Sequence, residues 1–213
     1  MKITGPEYLQ SPLKRQLDFI GGLALAGALF PLVASAAATS AVDTRSLNPF
    51  LTQSRIGNKG KAFDLIKLRT LRRSLTDGPG ATFGTFDSRA SKVGQKIRQY
   101  GLDEAPQLAN VILGHMSLVG IRPLLQIDFD RMSSVDPALF DDWQEAYKLS
   151  KPGLTGPGQL FRHHYRSSTD EVYARSMRLD LGYIETASVQ NDLRIIMQTP
   201  QSLLDANIHT IEN

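Results

Sequence analysis

Between Phe19 and Val42 the chain runs for 24 residues, FIGGLALAGALFPLVASAAATSAV, without a single charge. As one helix this run measures about 36 Å, enough for a hydrocarbon core of roughly 30 Å. Four structures fit it: a secretory leader, a membrane span, a buried helix of a soluble domain, or a segment that dips into one leaflet and returns. Lys14 and Arg15 before the run and the small residues ASAAATSA at its end suit a leader. Against that, the stretch before the apolar core is long, and Asp18 stands at its edge. Downstream, RIGNKGKAFDLIKLRTLRR is densely basic. Basic residues on both flanks ask both ends to stay on one side of the membrane, which counts against a simple span. A re-entrant segment meets that demand, and Pro31 near the middle supplies the break, because it lacks an N–H and clashes with the preceding turn. Residue type alone leaves the four readings open.

The rest of the 213-residue chain is long enough for one domain with a sizeable core. Its formal net charge is only +3, too small to imply a partner, but the distribution is uneven. From Arg55 to Arg73 there are seven basic residues opposed by Asp64 alone, a block suited to the phosphates of a nucleotide, a nucleic acid or a lipid headgroup. The absence of cysteine excludes disulfides, thiolate nucleophiles and zinc–thiolate sites.

Phe50 to Arg55 and Ala62 to Leu68, separated by GNKGK, predict a β-hairpin. SLTDGPGATFGTFDS reads as a loop, and SKVGQKIRQYG as a short basic helix with Val93, Ile97 and Tyr100 on one face. In LDEAPQLANVILG, Leu102, Ala105, Leu108, Ala109 and Ile112 recur at helical spacing, with Gly114 as a stop. Asp103 then falls at the N-cap, with Glu104, Ala105 and Pro106 in the first turn. An amphipathic helix opens after Asp136, KPGLTGPGQLFRH reads as a loop, and two further helices follow. Trp143, Tyr147 and Phe161 are assigned to core packing in preference to a membrane interface. His163 and His164 have no third ligand at metal spacing, and Asp128, Asp130, Asp136, Asp141 and Asp142 read as a solvated face.

Taken alone, Asp103 and Glu104 are a helix cap, and Lys67, Arg98 and Arg122 are surface charges. Their setting changes that. KRQLDFI leading into the Pro31 segment, RIGNKGKAFDLIKLRTL, LDEAPQLANVILGHMSLVGIRPLL, KPGLTG, GQL and RLDLGYIETASVQNDLRIIM occur in order from about Lys14 to Met197. In that order they resemble the bacterial sugar transferases, the monotopic phosphoglycosyl transferases. Two departures stand out: Phe30 precedes Pro31 where that family commonly has Ser, and Ile121 replaces the first proline of its Pro-Arg-Pro element.

The resemblance implies a phosphoglycosyl transferase that moves a sugar phosphate from a UDP-sugar to polyprenyl (undecaprenyl) phosphate and releases UMP. It implies Asp103 as the nucleophile of an aspartyl-phosphosugar intermediate and as a ligand of Mg2+, with Glu104 catalytic beside it. Lys67, Arg98 and Arg122 would contact the phosphates, and Pro123 would shape the backbone. The expected fold is α+β and predominantly helical. It has a tail over 1–16, a re-entrant helix over 17–42 broken at Pro31, a catalytic domain over 43–200 containing the small hairpin and amphipathic interfacial helices, and a tail over 201–213. The expected location is the cytoplasmic face of the bacterial inner membrane. Nucleic acid is not expected as a partner, and a homodimer is left open. The competing reading is a catalytically weak membrane scaffold of a glycan-assembly complex.

Overall fold

The computed structural model describes residues 4–71, 90–163 and 169–211, with side chains as far as 162 and 204 in the last two stretches. The expected loop over 74–88, together with Arg72, Arg73 and His164, lies outside the described residues. The chain is α+β and predominantly helical, as the sequence implied.

Helix α1 (Gly5–Leu9) leads into α2 (Pro12–Thr44), a helix of 33 residues and therefore about 50 Å. Ser11 caps α2 by accepting the Lys14 N–H, and Arg45 ends it in the left-handed region. The uncharged run is helical as expected, but Pro31 does not end it: the helix continues on both sides. A proline removes one backbone bond and crowds one carbonyl, and the bonds of the flanking turns carry the helix past it. Among the residues that α2 buries or half-buries, Lys14, Asp18, Gly22, Leu25, Leu29, Val33, Ala36, Ser40 and Thr44 recur every three or four positions straight through Pro31. One face of α2 therefore lies along the domain, while Phe19, Ile20, Leu23, Phe30, Leu32 and Val42 on the other faces are exposed. Only 11% of its most apolar 18-residue window is buried, so α2 is not the core helix of a soluble fold; it is long and apolar enough to enter a bilayer.

Residues 4–16, within the segment expected as a tail, are packed on the domain. Tyr8 is fully buried, and its hydroxyl donates to Asp192 Oδ2 at 2.8 Å. Lys14 is 4% exposed and bonds Asp18 at 3.1 Å, Asp192 at 2.7 Å and the Val119 carbonyl at 3.2 Å. Asp18 also accepts from Ser117 Oγ and Leu118 N, and Tyr183 donates to Asp192 Oδ1 at 2.8 Å. Arg15 donates to the Val111 and Ile112 carbonyls. These two cations, which the sequence offered as topological flanks, are thus structural joints. Gly21 and Gly22 let α2 come close: a Cβ on Gly21 would sit 2.7 Å from Leu118 Cδ1.

Strands β1 (Phe50–Ile56) and β2 (Ala62–Leu68) form the expected antiparallel hairpin, in register from Phe50–Leu68 to Ile56–Ala62. Lys59 and Gly60 in its turn take positive φ. Helix α3 (Lys92–Gln99) is capped by Ser91, with Ile97 buried and Val93 half-buried. Tyr100, expected on the same face, lies past the helix end and is exposed. Then come α4 (Leu108–Leu113), stopped by Gly114 at φ 87°, and β3 (Ser117–Val119). Helices α5 (Gln126–Val135) and α6 (Pro137–Leu149) follow, the latter capped by Asp136. The expected loop after Lys151 is instead β4 (Gly153–Thr155), parallel to β3, and α7 (Pro157–His163). Helices α8 (Asp170–Thr186) and α9 (Val189–Ile211) complete the chain, α9 running through Pro200 into the segment expected as a tail.

Phe129, Phe140, Trp143 and Tyr147 pack edge-on and stacked at the centre, with Trp143 Nε1 on Asp180 and Tyr147 Oη on the Ile56 carbonyl. Trp143 and Tyr147 are core residues, as expected, and Phe161 stacks under Arg175. Asp128 is not on a wet face: it is 3% exposed and accepts the Leu125 N–H.

Replacing Lys14 by Met leaves two buried carboxylates without their cation, an uncompensated charge of a kind that costs roughly 3–5 kcal/mol. The melting temperature of Lys14→Met in detergent micelles should fall by about 10 °C. An unchanged melting temperature would contradict this role.

Candidate active site

The free edge of β2 assembles the site. Asn110, 1% exposed in α4, accepts the Ile66 N–H at its Oδ1 (3.0 Å) and donates its Nδ2 to the Asp64 carbonyl (2.8 Å). One step further along the same edge, the Leu68 N–H donates to the Asp103 carbonyl at 2.9 Å. The segment from 103 to 110 is therefore docked on the strand as a neighbouring strand would be, and Lys67, between these contacts, is brought to the carboxylate pair. Sequence reasoning passed over Asn110; the signal was a single amide in the otherwise apolar LANVIL.

Asp103 and Glu104 do not begin an α-helix. They occupy a turn opened by Gly101 at φ 67°, followed by a 3-10 turn over Ala105–Gln107, and only then by α4. The expected N-cap role of Asp103 is corrected accordingly. Pro106 and its neighbours favour the tight turn, and Gln107 rather than Asp103 precedes the first α-helical residue.

The two carboxyl groups sit in opposite environments. Glu104 Oε1 accepts from Lys67 Nζ at 2.9 Å and from Arg122 Nη2 at 3.1 Å, and these cations hold Glu104 well below the usual carboxylate range against the cost of burial. The Asp103 side chain has no hydrogen bond or ion pair among the described residues, although the residue is only 8% exposed. Burial, and then the neighbouring Glu104 charge, push Asp103 up to about 6, with Lys67, Arg98 and Arg122 pulling the other way. Desolvation and like-charge crowding, rather than a helix N-terminus, set the environment of this aspartate. Environments that separate the pKa values of adjacent acids also separate their roles.

The structure thus brings Asp103, Glu104, Lys67, Arg98 and Arg122 together. Arg98, from the last turn of α3, acts on Asp103 through its charge. Pro123 is buried and offers its carbonyl to Arg55 Nη1 at 3.3 Å, a backbone role like the one expected for it. Ile121, where the resembling family has proline, is 1% exposed in the core, and its carbonyl accepts the Gly153 N–H, so packing fixes the backbone there.

Behind this set lies a group that the sequence reading did not bring together. Arg55 is 7% exposed, stands 3.9 Å from Asp128 and has an unpartnered buried Nε. Burial first and the Arg122 charge second lower it to about 10. Arg162, lowered by burial, lies within electrostatic reach of Arg122, Asp128 and Asp180. Cations crowded in this way around few carboxylates match a substrate carrying several phosphate charges.

No group of three or more metal-binding side chains occurs among the described residues. Mg2+ does not require one: it commonly takes one or two carboxylates and completes its shell with water and substrate phosphates. The unpartnered Asp103 carboxylate fits that requirement, whereas Glu104 is already committed to two cations.

The pKa of Asp103 has a consequence for stability. The folded state holds this proton more tightly than the unfolded chain, whose carboxyl titrates near 3.8. Ionisation therefore destabilises the fold progressively as pH rises from about 4, reaching its full effect above about 6. In chelator, Asp103→Asn should melt higher than wild type by the equivalent of about 1–3 kcal/mol at pH 8, and by less at pH 5. A variant that melts lower at both pH values would show that Asp103 is paired.

The family model described as bacterial sugar transferase matches residues 9–206. The UDP-glucose:undecaprenyl-phosphate glucose-1-phosphate transferase of Caulobacter vibrioides is 36% identical over 193 residues, covering 90% of this chain and 69% of that protein. The exopolysaccharide production protein PSS of Rhizobium leguminosarum bv. phaseoli is 33% identical over 196 residues, covering 90% and 95%. The undecaprenyl-phosphate glucose phosphotransferase of Komagataeibacter xylinus is 32% identical over 190 residues, covering 87% of this chain but only 35% of its own length. With the model spanning nearly all of its length and the dyad in place, the chain belongs to the bacterial sugar transferase family.

Proposed function

We propose that this protein transfers a sugar 1-phosphate from a UDP-sugar to undecaprenyl phosphate at the cytoplasmic face of the inner membrane, initiating assembly of a surface glycan. The names of its relatives support the donor and acceptor classes. The observation that carries the mechanism is the split within the dyad: Glu104 clamped between Lys67 and Arg122, and Asp103 buried beside it without a partner.

A carboxylate that neighbouring donors do not stabilise keeps its electron density for an electrophile. In the first displacement an Asp103 oxygen attacks the sugar-bearing phosphorus, and the bond from that phosphorus to the oxygen of the UMP leaving group breaks. UMP departs, and the sugar phosphate remains on Asp103 as an acyl phosphate. In the second, an anionic oxygen of undecaprenyl phosphate attacks the same phosphorus, the acyl–phosphate bond breaks, and Asp103 regains its carboxylate. The acceptor arrives as an anion, so this step needs no proton removed from it. Glu104, fixed in its ionised form, then has the task of holding Lys67 and Arg122 in position for the phosphates. Arg98 adds charge on the Asp103 side. Mg2+, held by Asp103 and the donor phosphates, would supply neutralisation of the diphosphate charge.

The placement of α2 supports insertion into a single leaflet. The domain touches it near Lys14 and Asp18 and again at Ala36, and Ser40 Oγ donates to the Arg69 carbonyl. A helix fastened at both ends to one domain, with an exposed apolar back, suits an orientation along a leaflet rather than through the bilayer.

UMP release from UDP-sugars in the presence of undecaprenyl phosphate and Mg2+ tests the proposal. Asp103→Asn should lower kcat by at least about a thousandfold, Glu104→Gln by a smaller factor, and Arg122→Lys by about tenfold to a hundredfold, because an ammonium cannot offer a phosphate the two parallel donors of a guanidinium. Wild-type turnover by Asp103→Asn would overturn it, and absence of UMP release by the wild type across a broad donor panel would favour a scaffold.

A further inference from the structure

On a part of the domain that none of the dyad residues lines, a cleft of about 280 Å³ opens between the N-terminus of α2, the tip of the β1–β2 hairpin and the end of α6. Five cations line it, Lys14, Arg15, Lys59, Lys148 and Lys151, of which Lys14 is paired with Asp192 and Lys148 with Glu145; one carboxylate, Asp18, lies among them. That carboxylate is already occupied by Lys14, Ser117 and the Leu118 N–H.

One buried donor in the lining is unsatisfied. Ser150 is 4% exposed, and its Oγ, a hydroxyl able to donate to an anion, has no hydrogen-bond partner. Buried polar atoms without partners are rare in folded proteins and mark places where another molecule completes the bonding. Lys59 and Lys151 form no ion pair among the described residues. The Lys151 ammonium and the Arg15 guanidinium crowd the same glycine: a Cβ on Gly114 would lie 3.5 Å from the first and 3.2 Å from the second. Burial and the neighbouring Arg15 and Lys14 charges lower Lys151. The positive end of the α2 dipole also opens onto the cleft.

We propose that this cleft is a second phosphate-binding site, in which Lys59 and Lys151 pair with the anion, Ser150 donates its hydroxyl, and the headgroup of an anionic phospholipid is the occupant. The surroundings favour a lipid over a free phosphate ion. Leu149 on the rim is exposed, as are Leu13 and Leu17 on the first turns of α2, so acyl chains would have an apolar surface to follow. The site would seat the N-terminal end of α2 at the headgroup level and fix the depth of the domain against the leaflet.

The test uses the full-length chain in detergent, with two probes: phosphatidylglycerol counted by native mass spectrometry, and inorganic phosphate followed by calorimetry. In Lys59→Gln/Lys151→Gln, binding of one phosphatidylglycerol should weaken by about tenfold relative to wild type, with melting temperature and detergent-phase UMP release unchanged. A loss confined to inorganic phosphate would keep the site and replace the lipid by a free anion as its occupant. If the double variant fails to fold, Lys59→Gln alone, on the exposed hairpin turn, should still weaken lipid binding by about threefold. Failure of the wild type to bind either probe, or equal binding by wild type and variant, would overturn the proposal. Loss of UMP release in an otherwise binding-competent wild type would count against the transferase reading and leave this site standing.

Discussion

Lys14 is buried in the protein, and around it are arranged Asp18 on its own helix, Asp192 at the start of α9, the Val119 carbonyl at the end of β3, and two tyrosine hydroxyls. A buried ammonium is tolerated only when its partners are in place, so the network ties the first turns of an apolar helix to the domain core. Because of that tie, α2 is not a detachable anchor with a soluble enzyme behind it. Its buried face passes Pro31 in step and is fastened again by Ala36 and Ser40. Any lipid the exposed face meets is met at a height the domain sets.

The same economy of contacts shapes the site. Asn110 completes the edge of β2 with one amide, and the Leu68 N–H continues that edge to Asp103. From there the two adjacent acids diverge. Glu104 faces Lys67 and Arg122 and is spoken for; Asp103 is buried next to it and left with unpaired charge. Such a group is a liability to folding, and its presence at the meeting point of three cations is understandable as a reactive centre held by the rest of the structure. Arg55 and Arg162 extend the positive field behind Arg122, with Asp128 offsetting part of it.

Much of this was legible in residue order. The hairpin followed from GNKGK between two short apolar segments, the end of α4 from Gly114, the start of α6 from Asp136, and the family from the run LDEAPQL with Arg-Pro behind it. The failures have physical causes. Helical spacing around Leu102–Ile112 suggested one helix, but Gly101 at positive φ and Pro106 favour a turn, and Ala109 ends on the exposed side. The β3–β4 pair is only three residues per strand, held by backbone contacts between distant glycines, Gly120 and Gly153, and no local pattern announces it. Lys14 looked like a topological flank because spacing does not reveal burial, and Asp128 looked solvated because its partners, Arg55 and the Leu125 N–H, lie across the fold or behind the helix start. Arg162 was within a motif that looked like a loop, and only the packing of α7 on α8 brings it near Arg122 and Asp180.

The most direct measurement is the intact mass of the protein after exposure to a UDP-sugar and Mg2+ without acceptor, followed by peptide mapping. The account predicts a gain equal to one sugar phosphate, carried by the peptide containing Asp103, discharged when undecaprenyl phosphate is added, and absent in Asp103→Asn. A protein that releases UMP at full rate while its mass stays unchanged, or that carries the sugar phosphate on another residue, would contradict it.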